Sequence, residues 1–252
     1  MNQHDIHLWY AFDDEISDIS LIECYQQLLS HSERQKQQRF HFAKDRHQYL
    51  VTRALLRTVL SLYEPTVLPE QWCFDKNDYG KPFITYPLLK SPLFFNLSHT
   101  DGLIILAVSR EVELGVDIEC RKRASHSLSI ANHFFSKKEC EYLFGLPVHQ
   151  QSDHFLTLWT LKESYIKARG MGLSIPLDQF SFSVTDWGEV TIDIEASQND
   201  QQSLWSFWLM SLTDAYVGAL ALKSEFPKSY YVISQKKITP LLHMNPIHYS
   251  VL

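Results

Sequence analysis

An α+β fold is what this sequence predicts, on three observations. Residues 111 to 119, EVELGVDIE, alternate acidic or glycyl with apolar residues, the period of a half-buried strand. Residues 158 to 170, LWTLKESYIKARG, put Leu158, Leu161, Tyr165 and Ala168 on one helical face. SHTDGLIILAVS at 98 to 109 is echoed by SLTDAYVGALAL at 211 to 222, with Ser, Thr and Asp at the same offsets before an apolar strand. Three identities fit chance as well as they fit a duplicated α+β unit with a junction near residues 109 to 113.

The elements follow in order. Residues 3 to 12 read as a strand and 18 to 30 as a first helix. A long helix is expected from Ser32 to Tyr63, with a break near Phe42 to Asp45 and Tyr49, Leu50, Ala54, Leu56 and Leu60 as its apolar stripe. NDYGKPF at 77 to 83 is a turn that Pro82 closes, and LFFNLSHTDGLIILAVS at 93 to 109 is two strands joined at His99 to Gly102. Gly170 and Gly172 end the helix that carries residues 158 to 169. The tail after Phe226 is aromatic enough to pack on the body.

Composition narrows the class. A chain of 252 residues makes one large domain or two small ones, and 15 Phe, 12 Tyr and 6 Trp predict a sizeable core. The net charge of -6 argues against a general nucleic-acid binder. No basic stretch followed by an apolar run marks a signal peptide, and LIILAV at 103 to 108 is too short to span a bilayer. Cys24, Cys73, Cys120 and Cys140 lack C-x-x-C spacing and read as reduced cytosolic thiols. The expectation is a cytoplasmic protein without membrane or nucleic-acid partners.

Why a strand lines up carboxylates is the question that leads to function. Side chains two apart on a strand sit about 7 Å apart, and two such charges repel by roughly 2 kcal/mol at an effective dielectric near 20. Glu111 and Glu113 suit a wet face. Asp117 and Glu119 follow a space-leaving Gly115 and precede the basic run Arg121-Lys122-Arg123. Opposite the apolar face of the 158–170 helix, Trp159, Glu163 and Lys167 recur at every fourth position. As a surface pair, Glu163 and Lys167 contribute a few tenths of a kcal/mol. Facing a cleft, Glu163 adds a third hard oxygen donor to the set, a combination that suits Mg²⁺ and substrate phosphates and not zinc.

GVDIE at 115 to 119 followed by W-x-x-K-E-S-x-x-K at 159 to 167 resembles the Sfp-type 4′-phosphopantetheinyl transferases. YGKP at 79 to 82, FNLSH at 95 to 99 and FFSKKE at 134 to 139 are similar to further motifs of that family, so the resemblance covers residues 30 to 225. It implies two similar α+β halves with the active site in the cleft between them, which favours duplication for the echo. It divides the chain into a nucleotide-side half at 1–111, a metal- and carrier-binding half at 112–225, and a packed tail at 226–252. The implied reaction moves the 4′-phosphopantetheine arm of coenzyme A to a serine of an apo acyl or peptidyl carrier protein, Mg²⁺-dependent, with release of 3′,5′-ADP.

The resemblance also assigns residues. Asp117, Glu119 and Glu163 match the Mg²⁺ ligands, with Glu163 also a candidate to take the serine proton, directly or through water. Lys167 matches a lysine on the phosphates, and Lys162 one near the nucleotide. Ser98 and His99 match residues that hold nucleotide and phosphates; Lys81 and Pro82 match the adenosine lining. Many relatives have Arg after the helix histidine, whereas this chain has His47-Gln48, leaving Arg46 or Arg53 as substitutes; Arg53 and Lys36 are taken as phosphate contacts. Carrier docking is expected on a basic patch in the second half, at Arg121, Arg123, Phe134 and Lys137. One chain completing its own site implies a monomer. Two other classes compete. A different Mg²⁺-dependent phosphate enzyme is disfavoured because no Walker-type glycine loop is present. A non-enzymatic carrier-protein or coenzyme A binding module is disfavoured because the three carboxylates and Lys167 all persist.

Overall fold

The computed structural model describes residues 1–2, 4–122, 128–185 and 187–242. Strand β1 (Asp5–Ala11) is followed by three helices, α1 (Ile19–Leu28), α2 (His31–Arg39) and α3 (Ala43–Tyr63). Then come the hairpin β2 (Cys73–Lys76) and β3 (Pro82–Tyr86) and the hairpin β4 (Phe94–Thr100) and β5 (Leu103–Ser109). After β6 (Leu114–Cys120) lie α4 (Ala131–Phe134), α5 (Lys137–Gly145) and the long α6 (Val148–Arg169). Two more hairpins, β7 (Phe180–Val184) with β8 (Val190–Ile194) and β9 (Trp205–Met210) with β10 (Tyr216–Lys223), precede β11 (Val232–Lys237).

Mixed α and β structure is therefore as the sequence predicts, and the 32–63 segment breaks into two helices near Phe42 as expected. Three local details differ: α2 starts before Ser32, Pro82 lies within a strand, and the tail forms a strand. Ser30 begins α2 with a reciprocal capping box to Glu33, and extended backbone at Phe40 and Phe42 separates it from α3. Pro82 opens β3 instead of ending regular structure, since it pairs with Lys76 at the mouth of the hairpin, where a missing N–H is tolerated. The tail contributes a strand, β11, which pairs parallel to β1.

Two sheets stand face to face. One has the order β11-β1-β5-β4, the other β6-β10-β9. Between them lies a core of Ile6, Leu8, Leu103, Ile105, Leu114, Val116, Ile118 and Leu220. The outer face of the first sheet packs on α1 and α3 through Ile104, Leu106 and Val108, so β5 is buried on both faces. The outer face of the second packs on α6 through Val217, Ala219 and Ala221, opposite Leu158, Leu161 and Tyr165. This layering explains the alternation in β6: its apolar residues enter the inter-sheet core, and Gly115, Asp117 and Glu119 turn toward α6. No helix among the described residues is long and apolar enough to cross a membrane.

Candidate active site

The approach of α6 to β6 depends on glycine. A Cβ on Gly115 would stand 2.1 Å from the Ser164 carbonyl oxygen and 2.3 Å from the Ala168 amide nitrogen. Its cross-strand neighbour Ala221 and the next small residue, Ala219 opposite Asp117, complete a flat floor. The helix settles on this floor with Trp159, Glu163 and Lys167 on its less buried side. Gly170, at φ 67°, ends it in the left-handed conformation expected of a C-terminal glycine.

Lys167 Nζ reaches Asp117 Oδ1 at 2.6 Å and Ser98 Oγ at 3.0 Å, and Ser98 Oγ donates to the same Asp117 oxygen at 2.8 Å. The other oxygen, Asp117 Oδ2, is buried without a hydrogen-bond partner. Thr100 Oγ1 donates to Glu119 Oε2 at 3.2 Å. Glu163 completes the group. Burial first, then the Asp117 charge, push its pKa up to about 7, with Lys167 opposing and Glu119 adding to the rise.

Strand β4 joins this site in a way the sequence reading missed. It is not backbone-paired to β6. Instead, alternate side chains bridge the gap. Asn96 Oδ1 accepts from Val116 N at 2.9 Å, Ser98 holds Asp117, and Thr100 Oγ1 accepts from Cys120 N at 3.2 Å while donating to Glu119. Asn96 and Thr100 are thus site residues alongside the predicted Ser98. Their signal was legible as polar residues at alternate positions 96, 98 and 100 of one strand.

The expected nucleotide residues line neighbouring hollows. Lys81 Nζ caps α6, bonding the Ala168 carbonyl and Glu113 Oε2 at 3.0 Å each, and with Pro82 borders a cavity of about 320 Å³. Pro82 also borders an adjoining cavity of about 430 Å³, with Lys36, Tyr49, Arg53 and Phe74. There Arg53 pairs with Glu33, and its guanidinium lies 4.7 Å from the Phe74 ring centroid. Burial and the neighbouring Lys76 and Arg53 charges lower the Lys36 pKa. His99 keeps an exposed edge, but protein packed against the rest of its ring, and next the Lys167 charge, lower its pKa. Gln48 is committed elsewhere, donating to Thr100 O at 2.7 Å and Asp13 Oδ1 at 3.2 Å. Arg46 turns its Nη1 back to the Phe40 and His41 carbonyls.

One assignment is overturned. Lys162 does not line a nucleotide site: it is 0% exposed, and its ammonium is used by Leu177 O and Phe180 O at 2.7 Å and Glu139 Oε2 at 2.8 Å. Residues one apart on a helix diverge by about 100°, so Glu163 faces the site and Lys162 enters the core.

The docking residues divide. Lys137 is 90% exposed at the start of α5, beside a cavity of about 690 Å³ whose far side carries Asp178, Asp193 and Glu195. Phe134 packs edge-on against Trp159, and Arg121 pairs with Asp153 at 2.7 Å. Arg123 lies outside the described residues.

A family model for the 4′-phosphopantetheinyl transferase superfamily matches residues 113–221, and one for the 4′-phosphopantetheinyl transferase N-terminal region matches 18–111. The 4′-phosphopantetheinyl transferase Sfp of Bacillus subtilis is 37% identical over 184 residues, covering 70% of this chain and 76% of Sfp. The chain belongs to the 4′-phosphopantetheinyl transferase family. HetI of Nostoc is 31% identical to the transferase over 218 residues, 86% of this chain and 87% of HetI. Among solved structures, a holo-(acyl-carrier-protein) synthase of Bacillus anthracis in complex with CoA (3′,5′-ADP) aligns over 45% of the transferase and 97% of its own chain, with 19% identity and TM-score 0.39.

The Glu163 carboxyl makes a stability prediction for the transferase. With a folded pKa near 7 against an ordinary 4.5, the folded state keeps a proton that the unfolded chain has lost. Stability from this group is fully present below the ordinary value, declines as pH rises, and is gone above the folded value, a span of roughly 3 kcal/mol. Glu163→Gln is therefore expected to raise the melting temperature at pH 8 and to make no difference near pH 4. Equal melting temperatures at pH 8 would show that Glu163 is not held out of water.

Proposed function

We propose that the protein transfers the 4′-phosphopantetheine arm of coenzyme A to a serine of an apo acyl or peptidyl carrier protein, with Mg²⁺ as cofactor. The observation that carries this reading is the convergence of Asp117, Glu119, Glu163, Lys167 and Ser98 where β6, α6 and β4 meet. Among the described residues no three His, Cys, Asp or Glu side chains stand close enough to form a metal-binding group as they are. The donor set nonetheless fits: the oxygens are hard, Asp117 Oδ2 is buried without a partner, and Lys167 neutralises the other Asp117 oxygen. Asp117, Glu119 and Glu163 would hold the ion, which supplies charge neutralisation at the pyrophosphate.

The chain's own groups do the rest. Lys167 offers its ammonium to the phosphate that becomes negative as 3′,5′-ADP leaves. Glu163 accepts the serine hydroxyl proton, directly or through a water. The serine oxygen bonds to the phosphorus bearing pantetheine, and the phosphorus–oxygen bond to the departing 3′,5′-ADP breaks. Lys81 and Pro82 line the adenosine side, His99 and Ser98 lie nearer the phosphates, and Lys36 and Arg53 serve phosphate from the adjoining hollow.

The two-halves reading is part of this proposal. The order strand, long helix, hairpin, hairpin occurs as β1, α3, β2–β3, β4–β5 and again as β6, α6, β7–β8, β9–β10. Within the sheets β1-β5-β4 corresponds to β6-β10-β9, each antiparallel throughout. The family models meet between residues 111 and 113, which supports halves at 1–111 and 112–225 with the site in the cleft between them and a tail at 226–252. A chain that completes its own site acts as a monomer, in the cytoplasm.

Intact-mass spectrometry of an apo acyl carrier protein incubated with the protein, coenzyme A and Mg²⁺ tests the reading: one added phosphopantetheine is expected. No gain on several acyl and peptidyl carriers, from folded protein that binds coenzyme A, would shift the reading to a binding module. Carrier docking runs along Arg121, Arg123, Phe134 and Lys137, steered by charge. Charge reversal at Arg123 and Lys137 is expected to raise carrier KM and flatten its salt dependence; unchanged values would place the docking surface elsewhere.

A further inference from the structure

The ion pair that removed Lys162 from the nucleotide site has a geometry of its own. Lys162 Nζ donates to two backbone carbonyls, Leu177 O and Phe180 O, and to Glu139 Oε2. Three partners match the three protons of an ammonium. Glu139 is equally committed: Oε1 accepts from Phe182 N at 2.8 Å, and Oε2 also accepts from Ser136 N at 2.9 Å as half of the α5 capping box. The first turn of α5, the segment 177–182 and α6 are thus pinned at one point. The surroundings are apolar, with the Lys162 ammonium 4.3 Å from the Phe180 ring centroid and 5.6 Å from that of Phe135.

Stability alone does not call for charge here. Buried ion pairs are often replaced by well-packed apolar side chains without loss. What an apolar replacement lacks is direction: five hydrogen bonds set where α5 stands relative to α6, and hence where Phe134 and Lys137 stand relative to Glu163, the residue next to Lys162.

We propose that Lys162 and Glu139 are positioning residues that fix the distance between the carrier-docking end of α5 and the reacting carboxylate of Glu163. This rests on the transferase reading and adds to it the means by which the carrier serine is placed. Because Lys162 is fully buried with every donor used, it touches neither substrate and acts through the placement of α5.

The test is Lys162→Met, assayed with an apo acyl carrier protein and by direct titration with coenzyme A. A displacement near 1 Å between reacting groups costs about 100-fold in rate, so a loss of that order in kcat/KM for the carrier is expected, with coenzyme A affinity unchanged. If the single variant fails to fold because Glu139 is left charged and unpaired, Glu139→Gln with Lys162→Met buries no lone charge and is read the same way. Lost coenzyme A affinity in a folded variant would overturn the inference by making Lys162 a substrate contact. Unchanged carrier kinetics would overturn it by making the pair a packing feature only. Wild-type protein that transfers nothing would sink the transferase reading and this inference with it, a result distinct from either.

Discussion

Asp117→Asn is expected to cut phosphopantetheine transfer by roughly 100- to 1,000-fold, the several kcal/mol that charge stabilisation at a phosphoryl centre supplies. The fold should survive. Asn keeps the shape of Asp and an oxygen for the Ser98 hydroxyl, and Lys167 retains Ser98 Oγ and the Val116 carbonyl as partners. Lys167 is also partly solvated, so no charge is stranded in the core. Steady-state transfer assays and a melting curve decide the matter together. Turnover within twofold of wild type, in folded protein, would remove Asp117 from the reaction and with it the metal site. A binding module, by contrast, would keep its coenzyme A affinity in this variant and have no turnover to lose.

Gly115→Ala is expected to act on the fold before it acts on chemistry. The added methyl meets Ser164 O at 2.1 Å, Ala168 N at 2.3 Å and Ala168 Cα at 2.9 Å, all main-chain atoms. No rotamer change relieves such contacts, so α6 must rise from β6. Overpacking of side chains typically costs about 1–3 kcal/mol, and a helix backbone that cannot yield puts this case at or above the top of that range. The denaturant midpoint should fall clearly, and whatever folds should have Glu163 and Lys167 drawn away from Asp117, because Ser164 and Ala168 directly follow them. An unchanged unfolding curve would mean that the helix sits further from the strand than described.

Much of this was legible in the sequence, for identifiable reasons. Period-two alternation placed β6, with its apolar face in the inter-sheet core and its acidic face toward α6. The helical wheel separated Tyr165 from Glu163 and Lys167 correctly, because Leu158, Leu161 and Tyr165 share one buried face, although Lys162 enters the core as well. The break before α3 was foreseen, but not the helix start at Ser30, although Ser-x-x-Glu at 30 to 33 is a capping-box signature. Lys162 was misplaced because a lysine in a motif reads as a substrate contact. Its partners, Glu139 and the Leu177 and Phe180 carbonyls, come from elements that only the tertiary fold assembles. Strand β11 was hidden for a similar reason: Val232–Lys237 is mostly exposed, so no alternation marks it, and parallel pairing with β1 needs a partner from the other end of the chain.

The row Asn96, Ser98 and Thr100 has a consequence for how the molecule breathes. Backbone ladders tolerate sequence change, because every residue carries the same amide. A junction made of side chains belongs to the residues that make it, and two of its fastenings end on Asp117 and Glu119. The carboxylates that would grip a cation are thus also the latch that holds β4 against β6. Parting β4 from β6 would break the Ser98 and Thr100 contacts to these two carboxylates together with the Asn96 contact to the β6 backbone.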